Sequence, residues 1–247
     1  VEKNEGVTFV DRVTGYEVLQ LTNSKLRSVH SYYDIPPWSP MDRQIAFSRL
    51  EPGATEGEIC VMSDQGKNLK CLGISRAMTS NDGAMAQWSA DGFRVYFNDR
   101  EAEERRIGWA DIQSGQGGFF SGGLRMVCPT GNRQVFHTNC GDYADHDVVR
   151  LREEHGVFIQ DLKTGDVEQI VSVADCYRIH PRRDEISEWH LYVKHTKWSP
   201  DGTRLMFVFT NEIRFSDKYM ELPRVKDIYV VNGDGSGLKR VSEFGNH

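Results

Sequence analysis

Residues 198–207 read WSPDGTRLMF, and this segment shows most clearly the pattern from which the fold of the chain is predicted. Trp198 begins an apolar segment, Pro-Asp-Gly is turn chemistry, and the stretch from Leu205 to Phe207 is a second apolar run. Three related strings precede it: WSPMDRQIAF at 38–47, WSADGFRVYF at 88–97 and the degraded VCPTGNRQVF at 127–136. The chain therefore repeats a strand–turn–strand unit, which indicates a repeat architecture.

A second kind of hairpin lies between these units, and it alternates apolar and polar residues around a Gly- or Asp-bearing turn. Such hairpins occupy residues 7–22, 58–73, 107–122, 157–172 and 228–242. The last four of them begin 49, 50 and 71 residues apart. Two hairpins per repeat make a four-stranded antiparallel unit of ~50 residues, which is typical of a β-propeller blade.

The predicted fold is all-β, a β-propeller of four-stranded antiparallel blades, with about 4.5 blades in one partial domain. No long segment has helical periodicity. We expect an outer hairpin at 7–22, blades at about 30–73, 80–122, 123–172 and 190–243, and the start of a further blade at 245–247. The inner strands that would close the ring are missing, so the chain is expected to be part of a larger propeller. An open or oligomer-completed array is the alternative, disfavoured because open sheet edges promote aggregation.

Length, charge and hydropathy restrict the possible functions. The chain has 247 residues, enough for one all-β domain with a hydrophobic core. Its net charge of −6 argues against a nucleic-acid partner, because phosphates require a basic surface. No run of 18 apolar residues occurs, so we predict no membrane span.

The chain contains five cysteines and no CxxC pair, which argues against a structural zinc site. Cys60 and Cys71 flank a turn centred on Gln65-Gly66 at equal distances, so they could face each other across a hairpin. Two reduced thiols and a disulfide are both compatible with this spacing. A disulfide would favour an oxidising compartment.

Candidate site residues are sought at the mouth of the propeller channel, where inner strands begin and blade-linking loops converge. The repeat places four polar residues there: His30, Asp82, His195 and His247. Blade scaffolding does not require histidine at this position, and two sequential blades carry it at the same offset. A purely structural histidine is the competing interpretation.

The longest repeat step contains an insertion at 175–195 that includes Arg178, Arg182 and His190. Arginine binds carboxylates through two parallel hydrogen bonds, and aromatic faces suit sugar rings. The insertion is therefore a predicted ligand-binding loop, or else a solvated loop whose charges pair with its own acidic residues. A second polar loop, 137–147, begins with His137.

Several strings resemble the oligogalacturonate lyases, and the resemblance runs along nearly the whole chain. The strings are DRVTGYEVLQLT at 11–22, HSYYDIPPWSPMDRQIAF at 30–47, HTKWSPDGTRLMF at 195–207 and IYVVNGDGSGLKRV at 228–241. That family consists of seven-bladed propellers that cleave unsaturated or short pectic oligosaccharides by β-elimination. The resemblance therefore implies that this chain belongs to a seven-bladed ring. TolB-like, WD40-like propellers share the WSPDG string, so it is the positions of the histidines that make the resemblance specific to the lyases.

The resemblance implies a role for each matching residue. His195 falls on the family's catalytic base, and His247 falls on a histidine that ligates a divalent metal, usually manganese. His30 and Tyr33 match a string that shapes the substrate cleft. The family's other metal ligands belong to a later blade that the chain does not contain. The family also has an arginine before its fourth outer hairpin, and this sequence has no clear match for it. Arg178 or Arg182, together with His190, is expected to contact substrate instead.

Two functional hypotheses follow. The first is a metal-assisted lyase acting on acidic, uronate-containing oligosaccharides, in the bacterial periplasm or cytoplasm. The second is a non-enzymatic TolB-like binding propeller of the periplasm or cell surface. A propeller attached to a serine peptidase is a third possibility, but it would need a GxSxG motif that this chain lacks.

Overall fold

The computed structural model describes residues 4–138, 148–211 and 225–243. Within those ranges the chain is built from antiparallel strands and two short helices. It divides into two compact units, Val1–Val127 and Cys128–His247. Among the described residues, no helix has the length and apolar character needed to cross a membrane.

The first unit holds a hairpin and two four-stranded sheets. The hairpin pairs β1 (Val7–Val10) with β2 (Glu17–Gln20). Blade A consists of β3 (Arg27–Val29), β4 (Gln44–Leu50), β5 (Gly57–Ser63) and β6 (Lys70–Ser75), in that spatial order. Blade B consists of β7 (Gln87–Trp88), β8 (Arg94–Glu101), β9 (Glu104–Asp111) and β10 (Gly117–Ser121), also in chain order.

The remaining strands form blades C and D. Blade C consists of β11 (Met126–Val127), β12 (Arg133–Thr138), β13 (Gly156–Asp161) and β14 (Val167–Ser172). Helix α1 (Val148–Glu154) precedes β13, and helix α2 (Val173–Arg178) follows β14. Blade D consists of β15 (Tyr192–Trp198), β16 (Arg204–Thr210), β17 (Lys226–Asn232) and β18 (Lys239–Glu243).

The turn in WSPDG explains why the string recurs. The Ser199 hydroxyl donates to Asp201 Oδ1 at 2.5 Å and accepts the backbone N–H of Arg204 at 2.9 Å. Hydrogen bonds from Ser199 and Thr203 lower the pKa of Asp201 to about 2. Gly202 has a φ of 67°, a left-handed conformation that favours glycine. The serine and aspartate thus fix the turn between two strands.

The tryptophan of the same string anchors the core of each unit separately. Trp88 belongs to a buried cluster of blades A and B, and its Nε1 donates to the Pro37 carbonyl at 2.8 Å. In the second unit Trp198 is buried beneath the Arg133 guanidinium, which lies 4.6 Å from its ring centroid. Each tryptophan thereby buries a large apolar surface where an inner strand begins.

The prediction of an all-β fold with four-stranded antiparallel sheets is confirmed. The two helices were not expected, since they span only seven and six residues and are too short to create a helical period. The predicted metal ligand His247, with the blade start at 245–247, lies outside the described residues.

Candidate functional site

Several histidines of the second unit lie at one end, which we call the histidine end: the end where β12 and β14 finish and β13 and β15 begin. The strand register places Thr138 opposite Gly156, and Gly156 opposite Ser172. The backbone N–H of Val173 then donates to the carbonyl of His155 at 2.9 Å. Helix α2 and the insertion therefore start at the end where His155 lies.

His195 lies in a bulge of the innermost strand of blade D. The register between β15 and β16 shifts between Lys194 and Lys197. His195 and Thr196 therefore lie opposite the single residue Phe207, as in a β-bulge. The φ of His195 is 56°, in the left-handed region that glycine normally occupies in such bulges. The bulge redirects the half-buried imidazole relative to a regular strand.

The same backbone conformation occurs in blade B at the corresponding position. Met85 precedes Trp88 by three residues, as His195 precedes Trp198, and its φ is 55°. The left-handed conformation is therefore a feature shared by two blades, and it does not require a histidine. What distinguishes blade D is an imidazole on this redirected backbone.

Hydroxyl groups hold two further histidines at this end. His137 Nδ1 lies 3.2 Å from Thr196 Oγ1, in the residue that follows His195. His155 Nδ1 lies 3.1 Å from Thr138 Oγ1. Burial lowers the pKa of His155 and keeps its ring neutral near neutral pH. His137 was predicted only as the start of a polar loop, yet it belongs to β12, one residue before the strand ends, and lies beside the bulge.

A buried ionic cluster fastens the insertion to blade D. His180 is 2% exposed, and its Nε2 lies 2.9 Å from Asp227 Oδ2 in β17. The backbone N–H of Arg182 donates to His180 Nδ1 at 3.1 Å, so the ring proton is on Nε2 and points to Asp227. Arg240 Nε donates to the same carboxylate oxygen at 2.6 Å. His180 therefore positions the insertion and offers no free nitrogen for proton transfer.

Arg152 of α1 holds the other side of the insertion. Its guanidinium is buried and donates to the carbonyls of Ser187 and Trp189 at 2.8 and 2.6 Å. It also lies 4.6 Å from the ring centroid of Tyr177. Burial lowers the pKa of Arg152, and the guanidinium of arginine stays protonated in proteins. The sequence contained no motif that singled out this arginine.

The two predicted substrate arginines have carboxylate partners within the structure. Arg178 pairs with Asp175 and with Glu153, the latter at 2.8 Å. Arg182 makes two hydrogen bonds to Glu185, at 2.5 and 2.7 Å. This is the pairing expected of a solvated loop, so a substrate carboxylate would have to displace Glu153, Asp175 or Glu185.

The third predicted substrate contact of the insertion, His190, is 1% exposed. Its ring centroid lies 6.0 Å from that of Tyr192, at the start of β15. At this depth His190 supports the strand that carries His195. Direct contact with a sugar would require the covering residues to move.

His30 and Tyr33 lie in the first unit, in the loop that follows β3. His30 is exposed, and Tyr33 is 70% exposed with its ring centroid 4.3 Å from that of Tyr32. The same loop contains Asp34, whose carboxylate accepts a hydrogen bond from Arg125 at 2.9 Å. Arg125 was missed in the sequence because it occupies a linker without a recurring string.

The described residues 4–138, 148–211 and 225–243 contain no group of three or more His, Cys, Asp or Glu side chains arranged to hold a metal ion. His247, the predicted ligand, is not among them. The residues described here therefore do not by themselves fit a metal centre.

No family model matches the chain, and no curated protein matches it. An oligogalacturonate lyase from Vibrio parahaemolyticus has a TM-score of 0.63 and 14% identity, over 99% of this chain and 61% of that chain. An oligogalacturonate lyase in complex with manganese has a TM-score of 0.51 and 12% identity, over 100% of this chain and 74% of that chain. The β-propeller domain of the Trilobed protease from Pyrococcus furiosus has a TM-score of 0.54 and 14% identity, over 97% of this chain and 66% of that chain.

These similarities define the class of the protein as a β-propeller. Identities of 12 to 14% show the fold alone, and both a lyase and a protease domain share it. The chain spans 61% of the length of the Vibrio lyase. The activity, substrate and metal therefore have to be argued from the site.

Proposed function

We propose that the chain is part of a polysaccharide lyase that cleaves uronate-containing, pectic-type oligosaccharides by β-elimination, with His195 as the catalytic base. The observation that supports this role is the left-handed φ of 56° at His195 in the bulge of β15. A glycine would occupy this backbone without strain. Met85 has the same backbone in blade B, so the support comes from the imidazole that this bulge carries beside Thr196 and His137.

In β-elimination the base removes the proton on the carbon next to the uronate carboxylate. The bond from the adjacent carbon to the glycosidic oxygen then breaks, leaving a carbon–carbon double bond. A neutral imidazole suits the first step, because histidine gains and loses protons near neutral pH. In this proposal Thr196 and His137 hold the bulge in register while His195 accepts the proton.

Negative charge develops on the uronate carboxylate during proton removal, and a cation must stabilise it. Arg182 and Arg178 are the proposed cations of the insertion, with His190 supporting the strand beneath them. Each arginine now pairs with a carboxylate, so substrate binding is an exchange of one carboxylate partner for another. His30 and Tyr33 are proposed to contact substrate from the loop of the first unit.

A divalent metal is the second part of the proposal, since one similar structure is an oligogalacturonate lyase in complex with manganese. His247 is the ligand that the chain would contribute. Because the described residues hold no complete donor set, the steps above are assigned to the side chains of the chain alone. The proposed location is the bacterial periplasm or cytoplasm.

The test is an elimination assay with the purified protein on a panel of uronate oligosaccharides, with and without added manganese. The new double bond, conjugated to the carboxylate, absorbs ultraviolet light. The expected result is an absorbance increase that His195→Gly abolishes. Absence of the increase with every uronate and with manganese would contradict the lyase proposal. Saturable oligosaccharide binding without cleavage would instead support the TolB-like binding propeller.

A further inference from the structure

Cys60 and Cys71 are direct partners in the antiparallel pairing of β5 with β6. The Cα atoms of such partners lie ~4.5–5.5 Å apart. A disulfide requires ~4.4–6.8 Å between Cα atoms, so no rearrangement of the two strands is needed. Both residues are free thiols in this structure. The register shifts just before Cys60, which gives the pair a local bulge in which to adjust.

The two thiols differ in exposure and in acidity. Cys71 is exposed on β6, whereas Cys60 is 1% exposed and packs with Phe47 and Met62. A hydrogen bond from the Cys60 thiol stabilises the Cys71 thiolate and lowers the pKa of Cys71 to about 7. The same hydrogen bond and burial raise the pKa of Cys60. Cys71 is therefore the reactive partner and Cys60 the protected one.

We propose that Cys71 and Cys60 form a reversible redox pair in which Cys71 attacks a small-molecule disulfide and Cys60 resolves the product. This site is independent of the proposed lyase chemistry. The Cys71 thiolate attacks one sulfur of glutathione disulfide, forming a Cys71–glutathione mixed disulfide and releasing one glutathione thiolate. Cys60 then attacks the Cys71 sulfur, its proton passes to the departing thiolate, and the second glutathione leaves. Two protein thiols are oxidised, and one glutathione disulfide is reduced to two thiols.

The bridge would fasten an edge of the sheet. In blade A the spatial order is β3, β4, β5, β6, so β6 has a neighbour within this sheet on one side only. Edge strands pair readily with other chains and open more easily than central strands. Oxidation would join β6 covalently to β5 and lower its tendency to detach.

The test begins with the chain reduced, freed of reductant and incubated without denaturant in glutathione disulfide. Remaining thiols are then alkylated, and the peptides are analysed by mass spectrometry. The expected product joins the Cys60 and Cys71 peptides, lighter by two hydrogen atoms and restored by dithiothreitol. Cys128 and Cys176 are buried and are expected to react at least ~10-fold more slowly.

Two single variants test the order of the steps. Cys60→Ser removes the resolving thiol, so glutathione is expected to remain on Cys71. Cys71→Ser removes the attacking thiol, so Cys60 is expected to acquire no adduct. Cys176→Ser is the matched control and should form the Cys60–Cys71 bridge as the wild-type chain does. A wild-type chain that keeps both thiols free, keeps glutathione on Cys71, or pairs Cys71 with another cysteine would overturn the proposal.

Discussion

His180 Nε2 lies 2.9 Å from Asp227 Oδ2, and this contact joins the insertion to the third strand of blade D. Both side chains are buried, and Arg240 completes the cluster from β18. Burial alone would raise the pKa of Asp227, but hydrogen bonds from His180 and Arg240 outweigh it and hold the pKa below its ordinary value. The carboxylate is therefore the charge around which the insertion is organised.

Replacing this carboxylate should destabilise the chain. Asp227→Ala leaves the His180 N–H and the Arg240 guanidinium without their acceptor, which we expect to cost about 3 kcal/mol of unfolding free energy. Urea denaturation followed by tryptophan fluorescence measures the difference. Asp234→Ala is the matched control, because Asp234 is an exposed turn carboxylate of the same blade and should cost no more than about 1 kcal/mol.

The carboxylate of Asp227 should make the unfolding free energy depend on pH in the acidic range. Since the pKa of Asp227 is lower in the folded chain than in the unfolded chain, its stabilisation is present above the unfolded value. It is lost as the pH falls through the folded value. The unfolding free energies of the wild-type chain and Asp227→Ala should therefore converge at low pH. A difference that stays constant down to the acid limit would contradict this assignment.

His195→Gly separates the chemistry of the imidazole from the backbone that carries it. Glycine relieves the left-handed φ, so the unfolding free energy should change by no more than about 1 kcal/mol while elimination is lost. Met85→Gly makes the same backbone change in blade B and should keep activity. Loss of activity in both variants, or retention in both, would contradict a specific role for His195.

The strands of blades A to D could be predicted because their determinants are local. The Ser199, Asp201 and Gly202 contacts of the WSPDG turn depend on residues close in sequence. The related string at 88–97 makes the same hydrogen bonds through Ser89 and Asp91. The alternating hairpins have equally local rules. The tryptophan of the string is buried at Trp88 and Trp198, whereas Trp38 is 53% exposed.

The details of the site could not be predicted in this way. The left-handed φ of His195 arises from a register shift between strands, and the sequence has no glycine there to mark it. Whether Arg182 meets Glu185 or a ligand depends on how the insertion folds back on itself. Arg152 acquires its role only because distant carbonyls converge on it.

Arg182 and Glu185 provide a paired test of substrate binding. If Arg182 contacts a uronate carboxylate, Arg182→Ala should raise KM about 10-fold, the value of one charge-assisted hydrogen bond. Glu185→Gln removes the competing carboxylate and should lower KM. Steady-state elimination kinetics on one oligosaccharide give both values. An unchanged KM in both variants would show that Arg182 and Glu185 only stabilise the insertion and do not contact substrate.

Arg152 should hold the insertion in place from the α1 side. Arg152→Met keeps the length of the side chain but loses its hydrogen bonds to the carbonyls of Ser187 and Trp189, at a cost of about 2–3 kcal/mol. We expect faster proteolytic cleavage within 181–189, detected by mass spectrometry of the fragments. Arg183→Met, which alters an exposed arginine of the same loop, should leave the cleavage rate unchanged.

The acidity of Cys71 should depend on Cys60. The rate of iodoacetamide alkylation of Cys71 follows its thiolate fraction, so in the wild-type chain it should rise through a midpoint near pH 7. Cys60→Ala removes the thiol that donates to the Cys71 sulfur, and the midpoint should move up toward the ordinary range for cysteine. Cys128→Ala leaves the pair intact and should not move it. An unchanged midpoint in Cys60→Ala would show that other neighbours set the acidity of Cys71.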